Sequence, residues 1–313
     1  MFDVDPIIWL QSLSSPALTA VMNGISLLGY TRAYMAFATL IIFAFRQRAA
    51  IALLVLIGLS SAFTDIAKVA AATPRPDWVD GRVQALSLYA ERLRERNPDT
   101  PTQTEDTYGF PSGHVSATTT FFVAAGVLFK WRRRGWSFAA AAILAMAASR
   151  MYLGRHFPID VAGGVGIGLL AVAVGFWVLQ LANLARESRE HDPGYAAHRV
   201  MVVALVLAGG ALLVGLPDAG DAGRLLGTAT GVIALVGHDA FEYGRTRSGR
   251  AILLTTAAAA FAAAWGVMTY LLNELQPSGV SAMRLAVSAL PNAALLVVPA
   301  YLPTLFRARR RVT

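Results

Sequence analysis

Cysteine is absent from this chain of 313 residues, which excludes disulfides, thiolate metal sites and cysteine nucleophiles and removes one clue to the redox compartment. Charge is scarce: Asp, Glu, Lys and Arg make up 15% of the residues against 56% apolar ones, the balance of a chain whose main solvent is a bilayer. Acidic residues are outnumbered by basic ones, 19 to 27, leaving a net charge of +8. The basic residues are scattered between apolar runs rather than gathered in one stripe with interleaved aromatics, which argues against nucleic acid as a partner. The N-terminus also lacks the positive start of a cleavable signal. Two aspartates and no Lys or Arg precede Arg32, so the membrane segments are expected to direct their own insertion.

What is plentiful is long apolar sequence. A helix needs ~20 mostly apolar residues to cross ~30 Å of hydrocarbon, and by that measure about nine spans are expected in an all-α polytopic membrane bundle. The first ends at Phe45. The others are Ala49–Ala71, Pro111–Phe129, Trp136–Leu153, Pro158–Ala182, Val200–Leu216, Leu225–Phe241, Ala251–Leu272 and Leu285–Phe306. The apolar stretch Pro6–Gly29 is interrupted by Ser12, Ser14, Pro16 and Asn23, and reads as an interfacial or re-entrant helix.

Clusters of Lys and Arg mark the cytoplasmic side of short loops. Arg46 with Arg48, Lys130 to Arg134, Arg186 with Arg189 and Arg199, Arg245 to Arg250, and Arg307 to Arg311 all follow odd-numbered spans. Asp218 to Arg224 and Asn273 to Arg284 are nearly free of basic clusters. The pattern predicts an outer N-terminus and a cytoplasmic C-terminus. It also puts the one long polar loop, Asp77 to Phe110, on the outer face. Within it Val83, Leu86, Ala90 and Leu93 recur at helical spacing opposite Arg92, Arg94 and Arg96, as in a helix lying on the membrane or a solvated linker helix.

Three polar clusters stand at the outer ends of otherwise apolar spans: Lys68 with Arg75 and Pro76, Pro111-Ser112-Gly113-His114, and Ser149-Arg150 with His156 and Asp160. An Arg, Lys or Asp at a helix centre costs ~2.5 to 3.5 kcal/mol on insertion scales, so ionisable residues in or beside spans read first as functional. Snorkelling to the interface is the bland alternative for any one of them. It does not account for so many on one face. Lys68 as a point charge and Arg75 and Arg150 as planar forks suit the oxygens of a phosphate. Pro111 suits the first turn of the third span, which would leave the amides of Ser112 and Gly113 unpaired at the positive end of a helix.

His156 and Asp160 are four apart across Phe157 and Pro158, a spacing that brings them together if the turn is helical. A carboxylate there would hold the imidazole tautomer and leave the other ring nitrogen free to attack phosphorus. His114, on a different span, could protonate the leaving alkoxide. The competing reading is a zinc or iron site built from His114, His156 and Asp160. Three cations around a divalent metal would repel it, whereas around a phosphate they attract.

The motifs K-x6-R-P at Lys68 to Pro76, P-S-G-H at Pro111 to His114 and S-R-x5-H-x3-D at Ser149 to Asp160 together resemble the type 2 phosphatidic acid phosphatase superfamily. That resemblance covers roughly Phe2 to Leu184. It implies a helical core and metal-independent, cofactor-free hydrolysis of a lipid phosphate or diphosphate through a phosphohistidine on His156, with Asp160 activating it. It further implies acid catalysis by His114, phosphate binding by Lys68, Arg75, Ser112, Gly113 and Arg150, and a supporting role for Ser149. Many relatives have a further arginine two residues before R-P, where this chain has Thr73.

The expected organisation is a phosphatase core over 1–185 and a four-span domain over 186–313. The latter resembles no family, although His238, Asp239 and Glu242 cluster near the inner end of one span and Pro291, Asn292, Pro299 and Pro303 mark a kinked last one. Two other functions suit the same residues. One is a phosphotransferase that passes the phosphoryl group to a lipid or glycan acceptor, and the other is a lipid transporter or scramblase that only binds phosphate headgroups.

Overall fold

A computed structural model describes residues 2–44, 47–88 and 108–181. Every regular element among them is a helix: α1 (Asp5–Ser12), α2 (Pro16–Leu28), α3 (Thr31–Ala44), α4 (Gln47–Ala71), α5 (Pro76–Val79), α6 (Gly113–Leu128), α7 (Arg133–Tyr152) and α8 (Pro158–Leu181). Two stretches among the described residues are long and apolar enough to cross a membrane: Ala52–Val79, which runs from α4 through α5, and Pro158–Trp177 in α8. The spans expected after residue 182, His238, Asp239 and Glu242, and the 185/186 boundary lie outside the described residues.

The N-terminal stretch is two helices rather than one. Asp5 and Pro6 open α1, a carboxylate at the positive helix end followed by a residue whose missing amide costs nothing there. Pro16 disfavours helical backbone in Ser15, which instead caps α2 by accepting the Leu18 amide at 3.2 Å. Both helices pack on α7.

The surface helix expected in the outer loop does not form over 83–87. Val83 is 5% exposed and packs with Val4, Ile7 and Phe157. The neighbouring peptide groups find partners elsewhere. The Gln84 amide donates to Gln11 Oε1 at 2.9 Å, Gln11 Nε2 donates to the carbonyls of Gln84 and Tyr152, and the Leu86 amide donates to the Leu153 carbonyl. Asn23 does the same two and four residues further along, donating to the Leu86 carbonyl and accepting the Leu88 amide. Side-chain amides from α1 and α2 thus replace the helical bonds that spacing alone suggested. Ala90, Leu93 and the three arginines lie outside the described residues.

The chain divides into two compact units, Met1–Tyr34 with Phe63–Val172, and Met35–Ala62 with Ala173–Thr313. In the first, α8 approaches the start of α6 along a row of glycines. A Cβ on Gly164 would come within 2.6 Å of the Ser112 carbonyl oxygen, and one on Gly168 within 2.8 Å of that of Ser116. Such small residues let backbones meet closely where side chains would hold them apart.

Candidate active site

His156 lies in the link between α7 and α8, 2% exposed, and Asp160 sits in the first turn of α8, fully buried. His156 Nδ1 faces Asp160 Oδ2 at 3.5 Å. The same oxygen accepts the Phe157 amide at 2.9 Å, so one carboxylate both closes the start of α8 and backs the imidazole. Nδ1 is the nitrogen turned to the carboxylate, which leaves Nε2 for chemistry. The Asp160 carbonyl in turn accepts the Ser112 amide at 2.9 Å and ties α8 to the start of α6.

That last bond corrects one expectation. The Ser112 amide is spent on Asp160 and is not part of an open anion cradle. Ser112 is the N-cap of α6, and Pro111 precedes the cap instead of lying in the first turn. The amides left without an intrahelical partner are those of the first turn, beginning at Gly113, and the Ser112 hydroxyl.

The cations gather around this pair. Arg75, 6% exposed, donates through Nη1 to the Arg155 carbonyl at 2.9 Å. Arg150, equally buried, donates to the Ser26 hydroxyl at the end of α2. Lys68, in the last turn of α4, is half-buried. Burial first, and then the charges of Arg75, Arg150, Lys68 and His114, hold His156 well below the ordinary imidazole value of 6.5. The ring is therefore neutral near pH 7.

His114 begins α6 and is fixed from the N-terminal side. Its ring stands edge-on to Tyr30 at 4.6 Å between centroids, and a Cβ on Gly29 would come within 2.7 Å of its Cδ2. Ser149 is buried and donates to the Met22 carbonyl at 2.8 Å, pinning α7 to α2 beside Arg150. Thr73, where an arginine was the common alternative, is taken up structurally, its hydroxyl accepting the Phe110 amide at 2.8 Å.

Several buried polar atoms of this cluster have no hydrogen-bond partner: Arg75 Nε, Arg150 Nε, Ser112 Oγ, His114 Nε2 and Asp160 Oδ1. Four of them can donate, which suits a ligand rich in acceptor oxygens. Among the described residues no group of three His, Asp or Glu side chains is placed to hold a metal ion.

Residues 49–186 match the PAP2 superfamily. The chain is similar to decaprenylphosphoryl-5-phosphoribose phosphatase of Mycobacterium tuberculosis, 34% identical over 96 residues that make up 29% of this chain and 51% of the relative. It is similar to undecaprenyl-diphosphatase of Bacillus subtilis, 31% identical over 77 residues, 25% of this chain and 37% of the relative. Phosphatidylglycerophosphatase B of Bacillus subtilis is 33% identical over 96 residues, 28% of this chain and 46% of the relative. The chain thus spans about half or less of the length of the curated relatives it matches. No solved structure matches it.

Sequence reasoning missed three residues of this site. Arg155 fell among the variable positions of the last motif, and Ser26 and Tyr30 lie before the matched segment. The first had a visible signal, an arginine beside the candidate nucleophile, whereas the other two are recruited only by the docking of α2 on α7.

Proposed function

We propose that this chain is an integral membrane phosphatase that hydrolyses a lipid phosphate or diphosphate ester through a phosphohistidine on His156. One observation carries the reading: unpartnered buried donors on Arg75, Arg150, Ser112 and His114 surround a neutral imidazole that is backed by a carboxylate. Buried donors without partners cost ~1 to 3 kcal/mol each, and a phosphate relieves several at once. The relatives whose names specify lipid-linked phosphate esters support the substrate class.

In this reading His156 Nε2 attacks phosphorus, and the P–O bond to the leaving group breaks as the P–N bond forms. His114 Nε2 gives its proton to the departing oxygen. Asp160 stabilises the positive charge that grows on the His156 ring. Lys68, Arg75, Arg150, the Ser112 hydroxyl and the first-turn amides from Gly113 onward hold the equatorial oxygens, supplying electrostatically what a metal would otherwise supply. Water then attacks phosphorus as His114 takes its proton, the P–N bond breaks with its electron pair returning to His156 Nε2, and inorganic phosphate leaves. The active site opens on the extracytoplasmic face, where a lipid tail can stay in the bilayer while the headgroup enters.

Purified full-length protein in detergent should release inorganic phosphate from at least one of phosphatidic acid, phosphatidylglycerol phosphate and a prenyl diphosphate with a chelator present. Absence of turnover on all three, or turnover only after a divalent metal is added back, would overturn the proposal.

A further inference from the structure

We propose that Tyr30 is a positioning residue for the acid: its ring, with Gly29 beside it, holds the His114 imidazole where Nε2 reaches the leaving oxygen. This deepens the phosphatase reading and rests on it.

The two histidines are held by different means. His156 is fixed by a carboxylate, with Asp160 Oδ2 at 3.5 Å from Nδ1. The His114 ring is packed against the link between α2 and α3. Its plane and that of Tyr30 meet at 60° with centroids 4.6 Å apart, the edge-to-face arrangement that aromatic rings favour. Gly29 adds a second contact. A Cβ there would lie 2.7 Å from His114 Cδ2 and from the side chain of Met146, so the missing side chain is room that the imidazole uses. Cδ2 is bonded to Nε2, and the contact therefore bears on the atom that carries the proton.

The backbone beneath the ring is set from the same side. Thr118 Oγ1 donates to the His114 carbonyl at 2.7 Å and, its proton so committed, accepts the hydroxyl of Tyr34 at 2.8 Å. Tyr34 stands one turn beyond Tyr30 in α3 and is 4% exposed. With the first turn of α6 anchored in this way, χ1 and χ2 of His114 are the freedoms that remain, and Tyr30 and Gly29 restrict them. Nε2 is buried without a hydrogen-bond partner, so packing, and not a bond at this nitrogen, aims it.

Ser26, one turn before Tyr30, marks the limit of the role. Its hydroxyl accepts from Arg150 Nη1, a group that serves the phosphoryl oxygens whatever the leaving group. Tyr30 touches the acid, whose task does depend on the leaving group. An alkoxide needs a proton to depart, and p-nitrophenolate does not. Misplacing a catalytic group by ~1 Å can cost ~10²-fold, which makes a loosened ring measurable.

The test compares kcat/KM, which reports the steps up to the phosphoenzyme, for p-nitrophenyl phosphate and for a lipid monoester with the purified full chain in detergent. The lipid is dioctanoyl phosphatidic acid or farnesyl monophosphate, whichever the wild type turns over faster. Tyr30→Leu should lower the value for the lipid about tenfold more than for the aryl ester. Tyr30→Phe, which keeps the ring, should retain the wild-type ratio, and Ser26→Ala should lower both values alike. Equal losses in Tyr30→Leu, the same bias in Ser26→Ala, or a Tyr30→Phe that behaves as Tyr30→Leu each overturn the inference. Should Tyr30→Leu not fold, Gly29→Ala decides. Crowding Cδ2 should bias the loss toward the lipid in the same sense, and an unbiased loss or none refutes the role. A wild type inactive on both lipid monoesters overturns it as well, because the acid then has no alkoxide to protonate. The phosphatase reading survives that outcome when a prenyl diphosphate is hydrolysed and falls with it otherwise.

Discussion

At the scale of single residues, the two histidines are distinguished by what stands behind each ring. His156 has a carboxylate at 3.5 Å, and His114 has the edge of Tyr30 and a buried, unpartnered Nε2. A carboxylate-backed imidazole is the better nucleophile, so His156→Ala should abolish any acid-trapped phosphoenzyme. His114→Ala should still trap label from p-nitrophenyl phosphate, whose leaving group departs without protonation. Label that survives His156→Ala but disappears in His114→Ala would reverse the roles. The pH profile follows from the environment of His156. Because burial and neighbouring cations lower its pKa, the ring stays neutral below 6.5 and is lost as a nucleophile only when the pH falls through that lowered value. The acid limb of kcat/KM for the free enzyme should therefore lie below 6.5, and a limb at or above it would contradict the assignment. The same sign governs stability. Below ~6.5 the unfolded chain binds a proton that this folded site refuses, so His156 makes the fold less stable as the pH drops.

At the scale of elements, the site exists because α8 and α6 touch backbone to backbone. Gly164 stands 2.6 Å from the Ser112 carbonyl oxygen when given a Cβ, and the neighbouring Ser112 amide is the one bonded to Asp160. Gly166, two residues on and so on the other face of α8, would meet nothing within 4 Å. Gly164→Ala should then push the helices apart, cost about 1 to 3 kcal/mol of stability and lower kcat/KM, whereas Gly166→Ala should be neutral or slightly stabilising. Comparable melting temperatures and activities for the two variants would show that the close crossing has no bearing on the site. The helices themselves were legible in the sequence: Ala49–Ala71, Pro111–Phe129, Trp136–Leu153 and Pro158–Ala182 each fall within a few residues of α4, α6, α7 and α8, because long apolar runs bounded by charge leave little choice. The motif residues were legible for a similar reason, since charge beside apolar spans is rare enough to announce itself. What was hidden is whatever depends on one element finding another. The helical spacing of Val83 and Leu86 was real, yet Gln11 and Asn23 offered their peptide groups other partners. The open amide expected at Ser112 was taken by a carbonyl from a segment nearly fifty residues on. Ser26 entered the site only because α2 lies against α7.

At the scale of the whole molecule, the proposed extracytoplasmic site fixes which side of the membrane each loop must face. His114 stands at the start of α6 and Arg150 near the end of α7, so both approach the same end of this hairpin. Twenty residues of α7 rise about 30 Å at ~1.5 Å per residue, roughly the thickness of the hydrocarbon core. In the proposed membrane placement, with α7 crossing the bilayer, the turn between the two helices lies on the opposite surface from the catalytic cluster. That turn carries Lys130, Arg132, Arg133 and Arg134, and such a basic cluster predicts a cytoplasmic loop. The absence of cysteine makes the orientation directly measurable, since any introduced thiol is the only one in the chain. Gly81 is exposed beyond α5, on the side of Arg75, and a Cβ there meets nothing within 4 Å. Arg132 is exposed at the start of α7, and replacing it leaves three basic residues in the turn. In intact cells a membrane-impermeant maleimide should label Gly81→Cys at once and Arg132→Cys only after permeabilisation. The reverse pattern would put the active site on the cytoplasmic face and exclude lipid phosphates confined to the outer leaflet as substrates. Labelling of both positions before permeabilisation would contradict a membrane-spanning α6–α7 hairpin, and with it the bilayer geometry on which access by a lipid headgroup depends.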